Sequence, residues 1–112
     1  MALLAMAIPI PADKMEKWKA FLSEVNGPRK TELSANRKKH GVRERTFHQQ
    51  TPMGDFAIVT LEGDDPEGAI ARMGAGGDAF SKWFAAQIKE IHGFDPAGPP
   101  PGPLPKLIVD TG

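Results

Sequence analysis

Cysteine is absent from the 112 residues, which excludes a disulfide framework, a thiolate nucleophile and any sulfur-ligated metal. The absence fits a reducing compartment, and a cytoplasmic location is the expectation. An excess of one charge is lacking too, with 14 Lys and Arg against 14 Asp and Glu. No net field draws the chain to nucleic acid or an anionic membrane, so neither is expected as a partner. No apolar run approaches the ~20 residues of a membrane-spanning helix. The opening MALLAMAIPI has no basic region ahead of it and reads as a buried strand rather than a signal peptide. Internal repeats are missing. The 12 Gly and 11 Pro do not mark low-complexity disorder, because six of the prolines crowd into one short segment. This length predicts one domain, 1–112, with a single core.

Several chemistries lack their motifs. GAGGD at 74–78 precedes a helical stretch, yet it has no Lys-Ser/Thr and follows no strand, so a joint between helices explains it better than a phosphate loop. Ser23, Ser34 and Ser81 have no nucleophile-elbow context. His40, Glu44 and His48 are evenly spaced, but four residues of strand span ~13 Å, too far for shared ligation of one ion at ~2 Å. No metal site and no resident cofactor are expected; haem ligation by a single His stays open without a motif to support it.

What is present begins with HGVRERTFHQQTPMGDFAIVTLEG at 40–63. Residues 42–50 alternate β-branched or aromatic with charged and amide side chains. Residues 55–62 are nearly continuous apolar β-formers. Thr51-Pro52-Met53-Gly54 between them supplies a Pro that ends pairing and a Gly that can take positive φ, so a hairpin is predicted. Residues 3–8 read as a first strand, apolar on both faces as a covered central strand is, and ended by Pro9 and Pro11. Met15, Trp18, Leu22 and Val25, with Phe21 beside them, recur at helical spacing. Residues 28–39 form a second, hydrophilic helix whose inward line is Leu33, Asn36, Arg37 and His40. Asp64-Asp65-Pro66-Glu67 is a helix start, with Ile70 and Met73 as its apolar contacts. Asp78 caps a last helix, 79–92, carrying Phe80, Trp83, Phe84, Gln87, Ile88 and Ile91 on one stripe. A proline-rich strap at 95–105, extended at ~3 Å per residue, leads to a short final strand at 106–109. The order β-αα-β-β-αα-β predicts a ferredoxin-like α+β fold: a four-stranded antiparallel sheet with helices on one face. A second copy is the economical cover for the other face.

That order resembles the dimeric α+β barrel superfamily. The GVRERTF, TPMGDF, EGDDP and IHGFDPAGPPPGPLP segments are similar to those of a family of short bacterial proteins of unassigned function, over nearly the whole chain. The resemblance implies a homodimer with sheets face to face and a pocket between sheet and helices in each subunit. The superfamily holds cofactor-free monooxygenases, isomerases, cyclases, haem proteins and proteins without activity, so it implies a scaffold rather than a reaction.

Val42, Glu44, Thr46 and His48 share one strand face; Arg43, Arg45, Phe47 and Gln49 share the other. Glu44 and His48 are the candidate catalytic pair, because an imidazole with a pKa near 6.5 suits proton transfer; a hydrated edge strand, with Glu44 paired to an Arg, is the alternative. Arg37 and His40, with Asn36, can face inward to bind an anionic group, although RKK also suits a solvated surface. Trp18, Phe80 and Trp83 are first of all core, and on facing helices they can also wall an apolar pocket. Gln49 is a second polar anchor beside Arg37. The function expected is binding of an apolar or aromatic small molecule, or cofactor-free acid–base chemistry on one: isomerisation, cyclisation or oxygenation. A non-catalytic dimeric interaction module is the other reading.

Overall fold

The computed structural model describes residues 2–100 and 102–112. The hairpin forms as the alternation predicts, one residue longer at most ends. Strands β2 (Val42–Thr51) and β3 (Gly54–Gly63) pair antiparallel with Thr51 opposite Gly54, so Pro52 and Met53 alone make the turn. Gly54 sits at φ 126°, a backbone conformation that side-chain-bearing residues rarely adopt. The Thr51 hydroxyl closes the turn: it accepts from the Met53 N–H at 3.2 Å and donates to the Gly54 carbonyl at 2.5 Å.

Strand β1 (Ala2–Ile10) pairs antiparallel with β3, which gives the sheet order β1-β3-β2. Two expectations are corrected here. The sheet has three strands, not four: residues 106–109 form no ladder, and Leu107, Ile108 and Val109 are 64, 89 and 73 % exposed. Pro105 removes a donor at the entrance to that segment, and four residues with no buried face have nothing to offset the entropy of ordering them. The strap before it includes position 101, which lies outside the described residues. Strand β1 is therefore an edge strand and β3 the middle one. Leu4, Met6, Ile8 and Ile10 turn toward the helices, while Leu3, Ala5, Ala7 and Pro9 face away.

A 3₁₀ turn (Ala12–Lys14) leads into α1 (Met15–Asn26), then α2 (Lys30–Lys39). After the hairpin, α3 (Pro66–Gly74) starts at Asp65, whose carboxylate accepts from the Gly68 N–H at 3.0 Å. Helix α4 (Ala79–His92) starts at Asp78, which accepts from the Ser81 N–H at 3.1 Å. Both caps satisfy amides that the helix itself leaves free. The observed fold is α+β in the order β-α-α-β-β-α-α.

The core divides in two. Ile10, Trp18, Phe21, Val25, Ala57 and Ile91 pack where α1 and α4 cross β1 and β3. Val42, Leu61 and Ala69 pack under α3. Gly63 belongs to the second region because of a close approach: a Cβ there would collide with the Gly41 carbonyl, at the point where the chain leaves α2 for β2. Among the described residues no helix is long and apolar enough to cross a membrane.

Candidate functional site

Strand β2 presents Glu44, Thr46 and His48 to the helices, where β1 presents Leu4, Met6, Ile8 and Ile10. The helix over β2 is α2, whose one partly buried aliphatic residue is Leu33. Apolar filling is therefore thin on this side of the sheet. A cavity of ≈ 740 Å³ lies between the sheet and the helices, lined from all three strands and all four helices as well as by Phe94 and Pro96, and its polar lining includes Glu44, Thr46 and His48 of β2. Its volume is within the range of small-molecule sites, ~300–1,000 Å³.

His48 lines the cavity with its Nε2 2.7 Å from Asp55 Oδ2. An ionised carboxylate only accepts, so Nε2 carries a proton, and in the neutral imidazole Nδ1 is the nitrogen with the lone pair. The Trp18 indole meets the imidazole edge-to-face at 4.9 Å between centroids, and Trp18 itself is buried. Glu44 lines the same cavity without joining His48. Four residues of strand hold them ~13 Å apart, and Glu44 Oε1 accepts from Arg37 Nε at 2.8 Å.

Arg37 and Asn36 are buried at 6 % and 8 % exposure, although they sit on a hydrophilic helix. A chain of hydrogen bonds accounts for this. Arg37 Nη1 donates to Asn36 Oδ1 at 2.5 Å, Asn36 Nδ2 donates to Ser81 Oγ at 3.3 Å, and Ser81 Oγ donates to Asp78 Oδ1 at 2.7 Å. The Ser81 bonds hold the Asp78 carboxyl below the usual range. The Arg37 guanidinium also lies over the Phe84 ring, 4.5 Å from its centroid. Of the inward line on α2, His40 is only partly buried and does not reach the cavity. Desolvation, then the charges of Lys39, Arg72 and Arg37, lower its pKa against a small opposing effect of Asp78.

Phe80 lines the cavity with Trp18. Trp83 does not: it stacks on Phe21 at 5.8 Å and is covered by the Arg29 guanidinium at 4.1 Å. Gln49 lies on the far face of β2, exposed, with its amide on the Gln50 carbonyl.

Two residues at this site escape a reading of the sequence. Asp55 follows from register alone: with Thr51 opposite Gly54, His48 lies opposite Ala57, and Asp55 is its diagonal neighbour on the same face. His92 has no local signal. It lines the cavity from the end of α4, and its Nδ1 is 2.8 Å from the Pro9 carbonyl of β1. A carbonyl only accepts, so Nδ1 bears the proton and Nε2 the lone pair. Desolvation lowers the His92 pKa despite that bond, leaving a neutral base at pH 7. Among the described residues no three His, Asp or Glu side chains gather as metal ligands.

Comparison with protein-family models, with curated proteins and with solved structures returns no match for this chain.

Proposed function

We propose that this protein binds an apolar or aromatic small molecule in the cavity over β2 and acts on it by cofactor-free proton transfer at His48. The observation that carries the reading is the 2.7 Å His48–Asp55 contact at the cavity wall, with Trp18 packed against the imidazole. Asp55 fixes the tautomer and stabilises the imidazolium as it forms. Nδ1 takes a proton from a carbon or hydroxyl of the ligand and returns it elsewhere on the same molecule, as isomerisation and cyclisation require. Protons balance, and no oxidant is consumed. Trp18 and Phe80 supply the apolar walls, and Arg37 with Glu44 supplies a polar end.

The partner in this reading is a second copy, placed as in dimeric α+β barrels, sheet against sheet. Ala7, Ile58 and Phe47 share one rung of the open face, and Phe47 is 56 % exposed. An antiparallel sheet with a solvated face ordinarily alternates to polar residues there, and this one does not across its middle.

Native mass spectrometry of protein purified without added ligand tests both parts. The expected species is two chains carrying a discrete adduct, whose mass gives the ligand class. His48→Gln should retain the adduct and abolish its conversion. Conversion at the wild-type rate in that variant would remove His48 from the chemistry. A ligand-free protein that also fails to bind a neutral naphthalene probe would end the cavity reading.

A further inference from the structure

We infer that the cavity takes an amphiphilic anion: an apolar ring system bearing one negatively charged oxygen group, held by Arg37. The inference rests on the cavity reading above and adds the ligand's charge and its orientation.

Charge is the first observation. The whole chain sums to zero, but the cavity border does not. Its charged residues are Arg37, Lys38 and Arg43 against Glu44, with Asp55 behind His48, three positive and two negative, a net of +1. Lys38 and Arg43 are exposed at the rim, where they raise the local concentration of an approaching anion.

The second observation is how Arg37 spends its donors. A guanidinium has five N–H groups in a planar fork that matches a carboxylate edge. Here Glu44 takes Nε and Asn36 takes one hydrogen of Nη1, while Nη2 has no protein partner among the described residues. Arg37 is 94 % buried by its 6 % exposure, yet no fully enclosed side-chain polar atom lacks a partner. The free edge of the fork is therefore open to the cavity rather than sealed in the core. Its position is also fixed in advance: the Asn36–Ser81–Asp78 chain holds one side and the Phe84 ring supports the plane. A donor held in place before the ligand arrives loses little entropy on binding.

Orientation follows from the strand. Arg37 is bonded to Glu44, and His48 lies four residues further along β2, ~13 Å away. A ligand anchored at Arg37 must span about that length to bring a reacting atom to His48, roughly two to three linked or fused rings with the anionic oxygen at one end.

Two fluorescent probes of one skeleton separate the ideas: 1-anilinonaphthalene-8-sulfonate, and N-phenyl-1-naphthylamine, which lacks the sulfonate. Both should bind the protein, the anion about tenfold more tightly, as one charge-assisted hydrogen bond supplies. Arg37→Gln should erase that preference and leave the neutral probe within about twofold. Because Arg37 is buried and its loss can unfold the chain, Glu44→Gln is the second variant. It keeps the shape, removes the competing carboxylate, and should tighten the anion several-fold without changing the neutral probe. Equal binding of the two probes, or a preference that neither variant alters, overturns the anion site and leaves the cavity reading intact. Failure of both probes overturns the cavity reading and this inference with it.

Discussion

At the scale of single residues, the two histidines of the cavity are held in opposite tautomers by different acceptors, a carboxylate for His48 and a backbone carbonyl for His92. For His92 the consequence is a pH dependence of stability. Desolvation lowers its folded pKa below the 6.5 of the unfolded chain. The unfolded state then binds the proton first, so the contribution is complete above pH 6.5 and is lost as pH falls from there through the lowered folded value. Partly buried His40, lowered for the same leading reason, adds in the same direction. Urea denaturation should therefore give a lower midpoint at pH 5.5 than at pH 7.5. In His92→Asn the Nδ2 group can still donate to the Pro9 carbonyl, and part of that difference should disappear. An unchanged pH difference in the variant would mean that His92 is not held neutral. None of this is legible in the sequence, because the Pro9 contact joins residues 83 positions apart. His48 was legible as a site candidate from its strand face alone, and Asp55 needed only the turn register.

At the scale of elements, α2 is where pattern and packing diverge. Its sequence KTELSANRKK has almost no apolar face, yet two of its polar residues are buried. What holds them is the cap of another helix: Asp78 both starts α4 and terminates the chain of donors that begins at Arg37. Asp78→Ala should cost about 1 kcal/mol as a lost N-cap. It should also weaken anionic-probe binding, because Ser81 and Asn36 lose the acceptor that orients them. Asp65→Ala removes the comparable cap of α3 at similar cost but lies outside that chain, and should leave probe affinity unchanged. Measuring stability and probe affinity on both variants decides the matter: equal probe affinities would mean the cap and the cavity are independent. Sequence spacing did offer Asn36 and Arg37 as an inward line, but the RKK run argued equally for solvent. The choice depended on Ser81, a residue with no signal of its own.

At the scale of the molecule, the local patterns carried the hairpin, both caps and the four helices, since each rests on neighbours within a few residues. The strand at 106–109 failed because β-forming residues alone do not make a strand; it also needs a face to bury, and this segment has none. The same consideration bears on the open face of the sheet. Leu3 at 48 % exposure, Phe47 at 56 %, and Phe56 and Ile58 of the middle strand stand on the side away from the helices, with Arg45 and Glu62 3.8 Å apart toward one end. Apolar residues in the middle and charges at the margin are the layout of a protein interface. Sedimentation of the wild-type chain should give two-chain mass at micromolar concentration. Phe47→Glu and, separately, Leu3→Glu place an unpaired charge in that contact and should each weaken dimerisation more than about tenfold. Both side chains are about half exposed in the single chain, so the fold itself should lose little, within the scatter of surface substitutions. A wild-type monomer at that concentration, or a dimer indifferent to both changes, would place the contact elsewhere. The exposed Leu107, Ile108 and Val109 would then be the next segment to substitute, being a further run of apolar residues left uncovered.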